Sequence, residues 1–365
     1  MLYAVIVSEV LLYLCFSLLM GSFLLYMVPS SNRPNIHVRR GTLMTAAGGI
    51  AFLSFFPLLQ LILFLYEDIG LYQTIESVIF TFEVGQAWIF SYILANVLFI
   101  FIVWFDYQNK RIYSFIGFLF TLLLILGLGW ASHASSLDLW KGFITHTSHF
   151  TAVTVWAGIL LVVSWFSKDY SNWQNFLRWF TPVAITCFTV IVITGIILMT
   201  FVVDINDYVR SWVLSYGQAL LIKHLLIIPL LAYAIINGIL VRRKLRTNKS
   251  FNPKPWTRME SIVILLVFSV TAALGQQSPP HEIVQTIKSV GASKLFTTLY
   301  QGSFYPEMIV SFNINVTSGI LMILAVLFLM LTVLSFIKKA PPVTSLFMSV
   351  LFVFTGYLSL VLSII

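Results

Sequence analysis

Three histidines stand close together in the stretch HASSLDLWKGFITHTSHFTAVTVWAG: His133, His146 and His149. His146 and His149 are spaced i, i+3, so on a helix they share a face, with Cβ atoms about 5–6 Å apart. Neutral imidazole is a common metal ligand. His133 ends one apolar run, and the other two open the next. If both runs are membrane helices, the three rings approach each other at one membrane face. His224 and His281 fall near other helix ends on the same side, which brings five of the six histidines there. His37 lies in a polar loop and reads as a solvated residue.

Two further groups carry chemistry. Glu9 and Lys223 are charges inside apolar runs, and such charges are functional candidates by default. A lysine at that depth must reach outward or find an acid. Met199, Met308, Met20, Cys15 and Cys187 supply sulfur. Imidazole suits copper, zinc, iron and nickel alike, whereas thioether and thiolate favour Cu(I). The metal set is therefore His133, His146, His149, His224, His281, Met199 and Met308, with Cys15, Met20 and Cys187 as a deeper pathway. No catalytic residue is expected. The chain has no phosphate-binding GxxxxGK[ST], no HExxH and no GxSxG, so nucleotide-driven pumping and hydrolysis lack support.

The elements that position these residues follow from composition. The 365 residues are 59% hydrophobic and 9% charged, against about 25% charged in ordinary globular chains. Runs of about 20 apolar residues span a bilayer. Such runs cover 2–28, 41–65, 86–105, 112–131, 146–166, 181–203, 216–241, 259–277, 316–337 and 343–364. The expected fold is an all-α, polytopic transmembrane bundle of about ten spans, one integral membrane domain over 1–365. The sixth span is expected to begin near Pro182. Gly48, Gly49 and Pro57 predict close packing and a kink in the second. The first span has no basic segment before it and reads as a retained helix rather than a signal peptide.

Charge sets the orientation. Loops 29–41, 106–111, 167–180, 241–258 and 338–340 hold sixteen of the 21 Lys and Arg residues. The positive-inside rule places them in the cytoplasm and both termini outside. The net charge of +8 is then mostly topogenic and needs no nucleic acid. The outer loops carry nine acids, which either draw cations to the mouth or are merely tolerated where bases are kept out. Residues 278–315 form an extracytoplasmic segment that could cap it.

The pieces WASHASS, HTSHFTAVTVWAGIL, YGQALLIKHLLIIPLLAYAIIN and ALGQQSPP, in that order, resemble the membrane domain of the CopD-type copper resistance and transport family over about residues 85–282. The matching positions are His133, His149, Trp156, Gly158, Tyr216, Lys223, Pro279 and Pro280. The resemblance implies copper movement across the cytoplasmic membrane, commonly uptake, alongside a copper-binding CopC-type domain. This chain shows no such domain, so a separate extracytoplasmic copper-binding donor protein, or none, is in question; the expected partners are copper and membrane lipids. A second reading stays open: a b-type haem protein moving electrons, with His149 and His224 as axial ligands. A third is a metal sensor or assembly scaffold.

Overall fold

The computed structural model describes residues 1–280, 282–300 and 310–364. Among them, ten helices are long and apolar enough to cross a membrane. They are α1 (Leu2–Met27), α2 (Arg40–Ile69), α3 (Glu83–Trp104), α4 (Arg111–Trp130), α5 (Leu139–Phe166), α6 (Trp173–Thr200), α7 (Ser215–Thr247), α8 (Lys254–Gly275), α9 (Val316–Ile337) and α10 (Pro342–Leu362). The chain is a multi-pass, all-helical membrane protein. It divides into two compact units, Met1–Leu198 and Met199–Ile365.

Several helices run further than their apolar cores. α5 begins at Leu139 rather than 146, because the Asp138 side chain accepts from Lys141 N (3.2 Å) and caps the first turn. α6 begins at Trp173, which leaves Pro182 inside the helix rather than at its start. Proline interrupts one backbone hydrogen bond, but the turns before it are anchored elsewhere. Asn172, Asn175 and Trp179 each donate to a carbonyl of Ser30, Ser31 or Asn32, at 3.1, 3.0 and 2.8 Å. Phe176 stacks on Phe180 with centroids 4.9 Å apart. α2 breaks at Ser54, three residues before Pro57, where the Ser54 hydroxyl donates to Ile50 O (2.7 Å).

In the first unit, α1 packs against α2, α4 and α5. At the crossing with α5, a Cβ on Gly21 would run into the Gly158 carbonyl, so two bare glycines let the backbones touch. Tyr13 meets Phe150 edge-on at 5.7 Å, and Phe16 meets it at 5.3 Å. Gly21 pairs with Gly158 and Tyr13 with Phe150, a constant separation of 137 residues (158 less 21, 150 less 13). A constant separation means that α1 and α5 run parallel.

In the second unit, α7 packs on α8 and α10, and α9 on α10. Two short helices, Ile283–Val290 and Lys294–Leu299, belong to the expected outer segment. Ile283, Ile287 and Phe296 enter a core with Trp212, Leu221, Phe352 and Val361. Ser293 N donates to Val213 O at 2.8 Å and ties this segment to the turn before α7.

Candidate functional site

The first unit holds three of the candidate histidines. His133 opens a five-residue helix, His133–Leu137, and is exposed. That helix folds back on the start of α5, where a Cβ on Gly142 would strike the Ala134 carbonyl. His146 and His149 are half-buried on α5. Their rings lean toward different neighbours. His146 stacks over Phe150 at 6.4 Å, on the side that meets α1. His149 turns toward α6, where Gly195 leaves room for it: a Cβ there would come within 3.4 Å of the ring.

The His149 ring is oriented by a hydrogen bond. Thr194 Oγ1 lies 2.9 Å from His149 Nδ1, and the Thr194 hydroxyl donates to Val190 O at 2.6 Å. A hydroxyl has one hydrogen to give. With that hydrogen on Val190 O, a neutral His149 would donate from Nδ1–H to Thr194 and carry its lone pair on Nε2; with the hydroxyl turned to the ring, the roles reverse.

Glu9 is half-buried on α1, with Tyr13 OH 3.4 Å from Oε2. The separation of 137 residues between α1 and α5 carries Glu9 to the level of His146, one turn beyond the Tyr13–Phe150 contact. An acid thus stands at the level of His146. Of the sulfur candidates, Cys15 is half-buried, and a Cβ on Gly49 of α2 would lie 2.9 Å from its Sγ. Met20 is fully buried, and Cys187 is buried on α6. Both cysteines are free thiols.

The second unit presents different chemistry. His224 Nδ1 is 2.6 Å from Tyr208 OH, and Lys223 precedes it. Tyr208 lies in the turn before α7, where burial pushes its phenol up to about 12. It is therefore a neutral hydroxyl at ordinary pH and introduces no negative charge beside Lys223. Asp204 accepts from Asn206 N at 2.8 Å and caps a short turn. Met199 is half-buried at the end of α6. His281 and Met308 lie outside the described residues. Among the described residues, no three of His, Cys, Asp and Glu are gathered as a metal site.

Sequence reasoning missed three features here. Thr194 is one of many threonines in apolar runs, and its role shows only in three dimensions. The Gly21–Gly158 contact also needs the fold, although Ser17-x-x-x-Gly21 has the small-xxx-small spacing that marks close helix packing. Glu260 is an acid within α8, 2% exposed; it stands at the edge of the apolar run 259–277, where a flanking charge carries little signal.

Ten apolar helices define a multi-pass membrane protein, and His149 in its first unit meets a threonine hydroxyl. Residues 1–143 match the family described as copper resistance protein D-like, N-terminal domain, and residues 174–274 match copper resistance protein D, CopD. The chain belongs to the copper resistance protein D family. His146 and His149 fall between the two matched stretches. A curated relative, the copper transport protein CutJ of Bacillus subtilis, is 26% identical over 293 residues, which is 75% of this chain and 53% of the relative. The chain thus spans about half the length of that relative. No solved structure matches the chain.

Proposed function

We propose that this chain moves copper across the cytoplasmic membrane, in the uptake direction, and that the first unit captures the ion. The observation that supports this reading is the contact of His149 Nδ1 with Thr194 Oγ1, which orients the imidazole and, with the hydroxyl hydrogen on Val190 O, would leave the lone pair on Nε2. Membership of the copper resistance protein D family supplies the metal. His149 is the capture ligand, and His146 with Glu9 forms an adjacent acid–imidazole pair that attracts the cation and offers a second nitrogen. His133, exposed on its short helix, delivers copper from the outer face. Cys15, Met20 and Cys187 are deeper resting points, with sulfur suited to Cu(I). His224, Met199, His281 and Met308 serve the second unit. Both termini face outward, and the donor is a separate extracytoplasmic copper-binding protein.

The test is copper accumulation in cells expressing the wild-type chain, His149→Ala or His133→Ala, with protein levels matched. The reading expects wild-type cells to gain copper, His149→Ala to fall to the empty-vector level, and His133→Ala to fall part of the way. Wild-type accumulation in both variants rejects the site. Metal analysis and absorption spectra of the purified protein separate copper from haem.

A further inference from the structure

The second unit contains a buried acid that copper capture does not use. Glu260 is the seventh residue of α8 and is 2% exposed. Its partner is Asn237, 4% exposed, whose Nδ2–H donates to Glu260 Oε2 at 2.7 Å and to Trp256 O at 3.3 Å. Asn237 sits in a π-helical turn, Ile236–Val241, within α7. The wide turn shifts Asn237 out of the α-helical register, and such turns are frequent at functional sites.

Two deficits meet at this pair. Among the described residues, no Lys, Arg or His is placed within ion-pair reach of Glu260, although a charge within a membrane span requires a partner. Asn237 Oδ1 is buried and receives no hydrogen bond. One proton answers both. On the carboxyl group it removes the charge and supplies an O–H donor for the amide oxygen. Acid and amide then pair through two hydrogen bonds.

The surroundings are polar and otherwise settled. Tyr233, one turn before Asn237, donates from its hydroxyl to Ser345 Oγ (2.9 Å), which donates to Thr332 O (2.9 Å). The titratable groups on the packed elements are few. α7 carries Tyr233 near the pair, Tyr216, Lys223 and His224 toward its start, and Arg242, Arg243, Lys244 and Arg246 past the π turn. α8 itself carries Lys254 and Arg258; α10 carries Tyr357 toward its far end; α9 carries none. No hydrogen bond or ion pair joins any of these to Glu260 among the described residues.

We propose that Glu260 is a proton-binding site, loaded from the side of the basic loop 241–258, and that its proton is exchanged for copper movement through the chain. Glu260 lies six residues past Lys254, about 9 Å along the helix axis from that end. In the loading step the carboxylate takes a proton from a hydronium ion in the water on that side: a hydronium O–H bond breaks, a carboxyl O–H bond forms, neutral water is left, and the local charge goes from −1 to zero. Release reverses it, and no other reactant is needed. The coupling rests on the copper-transport reading above; the proton site itself does not.

The experiment uses the full chain in proteoliposomes. Infrared difference spectra across a pH titration are expected to show a protonated-carboxyl band that vanishes as pH rises. Glu260→Gln, which keeps the shape and the amide partner, is expected to lack the band. Asn237→Leu is expected to keep it with a displaced midpoint. An inward copper gradient is expected to drive proton movement in the wild type and not in Glu260→Gln. An unchanged titrating band in Glu260→Gln overturns the site. Copper flux with equal proton movement in both overturns the coupling. Absence of copper flux in the wild type defeats the transport reading, and the infrared result still decides the proton site.

Discussion

The two units each place a histidine about ten residues into a long helix, and they surround it differently. In the first, His149 on α5 meets a threonine hydroxyl that also reaches a backbone carbonyl. An acid, Glu9, stands level with the neighbouring His146. In the second, His224 on α7 follows a lysine and meets a phenol. The first setting has an acid at the level of His146, and the second has a lysine next to its histidine in sequence. Histidine alone does not make a copper site; the charge beside it and the hydrogen bond that orients it decide. The acids are split too. Glu9 lies near the acidic-loop end of its unit, whereas Glu260 lies near the basic-loop end of the other.

That contrast can be broken by exchanging its parts. The largest expected effect is His149→Ala, with copper accumulation at the empty-vector level. Glu9→Gln removes the charge and keeps the shape. It should lower copper affinity by about 10-fold or more, the usual scale for a group acting on a metal-bound histidine, as read by titration of the purified protein. Thr194→Val removes the hydroxyl that orients the His149 ring and should act on affinity in the same direction, by less. His224→Ala should change copper affinity least of the four, and an effect equal to that of His149→Ala would erase the difference between the units.

Acidity sharpens the same comparison. A protonated imidazole has no lone pair, and unperturbed histidine titrates near about 6.5. Copper capture should therefore be full above that pH and fade as pH falls through it. Rapid uptake measurements between neutral and mildly acidic buffer check this. Glu9→Gln, lacking the nearby negative charge that favours the charged imidazole, should move the loss to lower pH; the two proteins differing in the opposite sense would contradict the Glu9–His146 level.

The ten spans were legible because length and apolarity suffice to mark a membrane helix, and His133, His146 and His149 stood out as rare polar residues among them. Helix starts were less legible. Asp138 and the residues from Trp173 to Phe180 extend α5 and α6 through caps and loop contacts that carry no hydropathy signal. Pro182 read as a boundary because proline usually ends a helix, yet carbonyls of Ser30–Asn32 hold the preceding turns in place. The Glu9–His146 level depends on the parallel register of α1 and α5, which Gly21 and Gly158 set only once the helices cross. Glu260 was visible as an acid but stood at the edge of its apolar run, where a flanking charge is ordinary.

Copper binding by the purified full-length protein, with X-ray absorption to identify the ligands, tests the first unit most directly. The account predicts nitrogen ligation by imidazole in the wild type and in His224→Ala, and its loss with most of the bound copper in His149→Ala. Equal copper content and an identical spectrum in His149→Ala would contradict it.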